Sequence, residues 1–313
     1  MARTLQAPAG TPQRTTEGID RVIAFANGKG GVGKTTTTAN VGGYAALAGA
    51  HVLLIDLDPQ GDLARDLGYT PTGGDEFFNA LVAGRTPPLL KDVRPNLDVI
   101  PGGQALEDIQ GLMVSRASRQ DAADFGDLLH AAISPLADDY DLILIDTPPG
   151  ERTLVEGAFA VSSAVVIPTK SDEASIDGVE RIARRFLAVR DRNPMLQLAG
   201  VVLFGVGPRS LRLERSVRTA LKEMLGEVAP VFETRIRNLE GASADARKKG
   251  LLFHELEGAV TQAQKDRLKS LRAGEKPADG FFSRSAGSLA EEFEQLTGEI
   301  LARLAEIEGS ADQ

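Results

Sequence analysis

The stretch "RVIAFANGKGGVGKTTTTANVGGYAALAG" (21–49) limits what this chain can fold into more than any other part of its 313 residues. An apolar run enters a glycine-rich loop, and the loop opens directly into a helical pattern closed by Gly49. Gly28, Gly33, Lys34 and Thr35 satisfy G-x-x-x-x-G-K-[ST], the loop whose backbone N–H groups crowd around phosphates at a helix N-terminus. Nucleotide binding is therefore expected at Gly28, Lys29, Gly30, Gly31, Val32, Gly33, Lys34, Thr35 and Thr36. Lys34 is expected to reach the β- and γ-phosphates, and the Thr35 hydroxyl to hold magnesium. The pattern needs one lysine, yet a second, Lys29, stands at the mouth of the loop.

Around this loop, short continuous apolar runs alternate with helical patterns. "HVLLIDLD" (51–58), "LDVIP" (97–101), "DLILIDTPP" (141–149), "AVVIPT" (164–169) and "LAGVVLF" (198–204) read as strands buried on both faces. "IDGVERIARRFLAVRDR" reads as a helix stopped before Pro194. The alternation predicts an α/β fold: a doubly wound, mostly parallel sheet flanked by helices, with the ligand at the carboxyl ends of the strands. The expected divisions are a flexible tail over 1–20, the nucleotide domain over 21–258, a polar loop or short insertion over 259–285, and an amphipathic helix over 286–313. Leu289, Phe293, Leu296, Ile300, Leu304 and Ile307 recur at spacings of three and four, so that helix should pack back on the domain.

Three aspartates stand at predicted strand ends. Asp146 closes "LILID", beside the loop, and is expected to hold magnesium through water. Asp56 and Asp58 lie two apart in "LLIDLD", so on an extended chain both would point toward the phosphates. A carboxylate there can orient the water that attacks the γ-phosphate. Thr35, Asp58 and Asp146 make up the expected magnesium site, and Lys34 and Asp58 are expected to be catalytic. His51, His130 and His254 lack metal-ligand spacing and read as structural.

Cysteine is absent, which excludes disulfides and iron–sulfur ligation by this chain alone. No apolar run approaches a membrane span and the first 20 residues hold no apolar signal core, so a cytoplasmic protein is expected. A net charge of −9 disfavours bulk attraction to nucleic acid, so any DNA contact must come from a local basic patch.

"KGGVGKTT", "DLDPQGD" and "DTPPG", in that order, resemble the ParA/Soj group of deviant Walker-type ATPases, within the wider class of MinD, nitrogenase iron protein, Mrp-type carriers and dethiobiotin synthetase. The likeness spans about residues 21 to 258. It implies that Lys29 is the signature lysine that crosses an ATP-sandwich homodimer to the partner's phosphates, supplied in trans like an arginine finger. It also implies a cycle of ATP and Mg2+ binding, dimerisation, nonspecific binding of double-stranded DNA on the bacterial nucleoid, and release when a ParB-like partner stimulates an otherwise weak ATPase. Iron–sulfur carriers need cysteines, and tyrosine kinases of the class need a C-terminal tyrosine cluster. MinD needs a basic membrane helix, where this chain ends in "SLAEEFEQLTGEILARLAEIEGSADQ"; no membrane partner is expected.

"PRSLRLERSVRTALK" (208–222) sets Arg209, Arg212, Arg215, Arg218 and Lys222 along one broad helical face, with Leu211, Val217 and Leu221 toward the core and Glu214 interrupting the stripe. "GPRS" resembles the family's D-x-R-T element, whose DNA-binding arginine maps to Arg209. "TRIRNLEGASADARKKG" (234–250) stands where the family has a base-binding segment. The resemblance thereby assigns Phe204, Pro208, Arg237 and Asn238 to the nucleotide, while Arg247, Lys248 and Lys249 extend the basic surface. With no aromatic residues interleaved, binding should ignore sequence. With about twenty residues before the first strand, the helix–turn–helix extension of some plasmid members is not expected. The alternative readings are a positioning ATPase for another cargo, such as carboxysomes or chemoreceptor clusters, and a metabolic ligase of the dethiobiotin or cobyrinate type.

Overall fold

The computed structural model describes residues 18–117, 123–207, 211–226, 228–273 and 286–311. The strands are β1 (Ile19–Phe25), β2 (Val52–Asp56), β3 (Leu90–Arg94), β4 (Leu97–Ile100), β5 (Leu142–Asp146), β6 (Ser162–Thr169), β7 (Gln197–Val206) and β8 (Val231–Arg237). The helices before β6 are α1 (Lys34–Leu47), α2 (Leu63–Leu67), α3 (Asp75–Ala83), α4 (Asp108–Ala117), α5 (Phe125–Ile133) and α6 (Arg152–Val161). Those after it are α7 (Glu173–Arg190), α8 (Leu211–Leu225), α9 (Glu240–Lys249), α10 (Phe253–Arg272) and α11 (Ala286–Ala311).

The strands form one sheet in the order β3-β4-β2-β5-β1-β6-β7-β8. All pairings are parallel except β3 with β4. Every residue of β2, β5 and β6 is buried, which is why these strands read as unbroken apolar runs. Successive side chains leave opposite faces. Leu53, Ile55 and Ile143 join a core with Phe77, Leu129, Phe159 and Val217 from α3, α5, α6 and α8. Leu54, Leu144 and Val166 join a second core with Val41, Phe253 and Phe293 from α1, α10 and α11. The chain leaves β1 toward β2 on one side and returns from β5 past β1 to β6 on the other. The crevice of a doubly wound sheet thus opens at the carboxyl end of β1.

The amphipathic C-terminal pattern is α11. Leu289, Phe293, Leu296, Ile300, Leu304 and Ile307 are all buried, Phe293 stacks on Phe253 with ring centroids 5.3 Å apart, and the Tyr44 hydroxyl donates to the Ala290 carbonyl at 2.6 Å. The division at 258 falls inside a helix: α10 buries Phe253 and Leu256 in its first turn and then continues with exposed polar side chains, which read as a loop. The tail over 1–17 and the segment 274–285 lie outside the described residues.

Two strands had no counterpart in the sequence reading, β3 and β8, and both are at sheet edges. The edge of β8 is closed by side chains. Arg218 of α8 donates to the carbonyls of Val231, Phe232 and Glu233 at 3.4, 2.6 and 3.3 Å. Glu299 of α11 accepts from the amides of Glu233 and Thr234, each at 2.9 Å, and Glu292 accepts from the Arg237 amide at 2.9 Å. An open row of backbone donors and acceptors invites pairing with another chain, and here much of it is occupied.

Candidate nucleotide site and basic surface

The loop between β1 and α1 has the backbone its glycines permit. Gly31 and Gly33 have φ of 69° and 88°, and a Cβ on Gly33 would lie 2.5 Å from the Phe204 ring. Only glycine meets both demands at position 33. The Gly33 carbonyl accepts from the Thr37 amide at 2.8 Å, starting α1 at Lys34. Asn27 anchors the entry. Its side-chain amide donates to the Pro168 carbonyl at 2.8 Å and its oxygen accepts from the Lys29 amide at 2.9 Å. Asn27 carries no motif signal beyond its place before the loop.

Lys34 is buried. Desolvation lowers its pKa, while Asp146 and Asp58 pull it back up. Asp146 is fully buried, and burial pushes its carboxyl up to about 7 against the opposing effects of Thr35 and Lys34. Apart from the nearby Thr35 hydroxyl, neither Asp146 oxygen finds a hydrogen-bond partner, so a buried carboxyl stands beside the loop with acceptor capacity to spare. Its strand is aligned with β1 by the Thr147 hydroxyl, which donates to the Phe25 carbonyl at 2.8 Å.

The two-residue spacing of Asp56 and Asp58 does not place both carboxylates at the phosphates, because β2 ends at Asp56. Asp56 turns into its own loop, accepting from the Asp58 amide at 3.0 Å and the Leu63 amide at 3.3 Å. Burial, with Asp146 nearby, holds its pKa well above the carboxylate range. Asp58 is the residue that faces Lys34. Burial raises its pKa, against the Gln60 amide, which donates to it at 3.0 Å, and the Lys34 charge.

Lys29 stands apart from this cluster. Its Nζ lies 3.1 Å from both oxygens of Asp172, with about a third of its side chain exposed. Burial pushes the Asp172 carboxyl up, but the Ser175 hydroxyl, donating at 2.7 Å, and Lys29 outweigh it and hold the carboxyl below its usual range. Asp172 and Ser175 were not singled out in the sequence.

On the base side, Phe204 packs on the loop as described. Asn238 is exposed and its amide donates to the Val206 carbonyl at 2.9 Å. The Arg237 guanidinium is taken by Glu292 of α11, a contact that the nucleotide assignment did not foresee. Pro208 and Arg209 lie outside the described residues.

The basic stripe of α8 is narrower than its spacing suggests. Arg212 and Arg215 are exposed, and among the described residues neither forms an ion pair. Lys222 is exposed but lies 3.5 Å from Glu233. Arg218 leaves the stripe, since its guanidinium caps β8. Glu214 does not interrupt the exposed face, because it is buried with Arg235 at 3.2 Å. Val217 and Leu221 reach the core as expected. Arg247 also departs from the basic surface: it pairs with Asp66 at 3.1 Å and reaches the Thr36 hydroxyl at 3.4 Å. Lys248 and Lys249 are exposed in the last turn of α9.

The AAA domain family AAA_31 matches residues 20–198, more than half of the chain. The chain is 34% identical over 250 residues to chromosome partitioning protein ParA of Caulobacter vibrioides, covering 78% of this chain and 90% of that protein. It is 35% identical over 238 residues to chromosome-partitioning ATPase Soj of Thermus thermophilus, covering 75% and 88%. The chain belongs to the ParA/Soj family of partitioning ATPases.

Its fold is that of ParA-class P-loop proteins. The structure of apo McdA from Cyanothece matches with a TM-score of 0.69 at 20% identity, over 90% of this chain and 99% of that one. Cobyrinic acid a,c-diamide synthase of Mycobacterium smegmatis, solved with an ATP analogue and magnesium, matches with a TM-score of 0.61 at 26% identity, over 84% and 100%. No described helix is long and apolar enough to cross a membrane.

Proposed function

We propose that this ParA/Soj-family ATPase forms an ATP-sandwich homodimer, binds double-stranded DNA without regard to sequence, and leaves it when a ParB-like partner stimulates hydrolysis. The observation that carries the reading is Lys29. It sits at the mouth of the phosphate loop, yet Lys34 fills the buried position beside Asp146 and Asp58, and Lys29 is held by Asp172 at a half-exposed site. A cation so placed is available to the phosphates of a facing subunit, where two triphosphates would otherwise repel.

Within one subunit, the backbone amides of the loop and Lys34 bind the phosphates, and Asp58 orients the attacking water. The buried Asp146 oxygens, with spare acceptor capacity beside the Thr35 hydroxyl and bordered by Asp58, fit a magnesium site. When bound there, magnesium supplies neutralisation of charge on the β- and γ-phosphate oxygens.

For the partner, a cleft of about 370 Å3 beside Asp58, bordered by Gln60, Glu107 and Glu151, has the acidic character to admit a basic segment. For DNA, Arg212 and Arg215 of α8 and Lys248 and Lys249 of α9 are exposed and supply cations. The site of action is the bacterial nucleoid. Fluorescence anisotropy with random-sequence DNA tests the reading. Binding should require ATP, fall steeply with salt, and weaken roughly equally on all sequences in Arg212→Ala/Arg215→Ala. Equal affinity with and without ATP would contradict it.

A further inference from the structure

We propose that Arg247 is a nucleotide-contacting residue, set by Asp66 over the second hydroxyl of the phosphate loop, where it reads the α-phosphate that ATP and ADP share. This rests on the nucleotide reading of the loop. Lys34 serves the β- and γ-phosphates and Thr35 the metal, and Thr36, the next residue in the first turn of α1, would then lie on the side of the α-phosphate, which the loop's backbone amides cradle together with the β-phosphate. The Arg247 guanidinium donates through Nη2 to the Thr36 hydroxyl at 3.4 Å and through Nε to Asp66 at 3.1 Å.

Asp66 is buried, whereas the arginine is about half exposed. The carboxylate therefore backs the cation from the protein side and leaves part of the guanidinium facing outward. Burial raises the Asp66 pKa, and Arg247 and the Thr36 hydroxyl oppose that rise, so the three groups form one polar cluster.

The backbone fixes this placement. Gly250, which ends α9 with φ 61°, passes so close to Gly68, which ends α2, that a Cβ on Gly250 would lie 2.2 Å from the Gly68 Cα. Arg94 ties the same ends together, donating to the carbonyls of Leu67 at 3.1 Å and Gly250 at 2.8 Å. The helix bearing Arg247 is thus locked to the helix that follows the Asp58 loop. Guanidinium is suited to the task because one side chain can bond Asp66, Thr36 and a phosphate oxygen at once, which an ammonium on a flexible stem does poorly.

The test is titration of the full-length protein with fluorescent ATP and ADP analogues. Arg247→Ala should weaken both by the same factor, about tenfold for one lost charge-assisted contact, and Arg247→Lys should recover only part of the loss. Arg85→Ala, an exposed cation outside the site, should bind both nucleotides as wild type. Should Arg247→Ala leave Asp66 unpaired and fail to fold, Arg247→Ala/Asp66→Asn removes both charges and carries the same expectation. Wild-type affinity for both nucleotides in a folded Arg247 variant overturns the proposal, as does a loss confined to ATP or to DNA binding. Lys34→Ala, run alongside, separates the two readings: if it also binds normally, the loop assignment itself is wrong.

Discussion

Residue by residue, the site divides its aspartates by what each one accepts. Asp56 is used up by the amides of Asp58 and Leu63, while Asp146 has no backbone amide and only the Thr35 hydroxyl beside it. Asp58 lies between these extremes, accepting one amide and facing Lys34. Asp58→Ala should bind nucleotide within a few fold of wild type, because the loop, Lys34 and Asp146 are untouched. Its turnover should fall by at least about a hundredfold, the usual scale for a positioned acid–base group. A phosphate-release assay at saturating ATP checks this, and wild-type turnover would remove Asp58 from the mechanism. The place of the loop between β1 and α1, and of Asp146 at the end of β5, was legible in the sequence because both depend on local chain geometry. The role of Asp56 was not, because period two holds only on extended chain, and the strand stops there. Asp172, Arg247 and Asp66 were also hidden, since their contacts join positions more than 140 residues apart.

At the scale of elements, unbroken apolar strands announced themselves and edge strands did not. β8, "VFETRIR", mixes charge with apolar residues because one long side of it meets helices instead of another strand. The carboxylate of Glu299 takes two amides there, so Glu299→Ala should cost about 1–3 kcal/mol in a denaturant melt and promote concentration-dependent association. Unchanged stability and unchanged sedimentation would show that the edge needs no such cap. The start of α10 supplies a pH test. Desolvation lowers the pKa of His254, aided by Arg94 and opposed by Glu255, and its ring lies 5.0 Å from that of Tyr44. The folded chain then binds fewer protons than the unfolded chain between the lowered pKa and about 6.5. Stability from this group is present above pH 6.5, declines as pH falls below it, and levels off beneath the folded pKa. His254→Gln should flatten that part of the thermal-stability profile, and an unaltered slope would exclude His254 as its source.

For the whole molecule, the cations expected on the DNA surface of this acidic chain divide into exposed and paired ones. Arg212 and Arg215 remain exposed, whereas Arg218 caps a strand and Arg237 is bound by α11. On the proposed function, so small a patch should bind DNA weakly alone, and two copies on one duplex should gain through effective concentration. ATP-dependent assembly is therefore the central claim, and it turns on Lys29. Lys29→Ala should keep most of its ATP affinity, because Lys34 and the loop amides are intact, and should fail to dimerise. Multi-angle light scattering with a nonhydrolysable ATP analogue decides the matter. The wild type should be a dimer and Lys29→Ala a monomer at matched nucleotide saturation. A dimer of Lys29→Ala equal to wild type would contradict the claim.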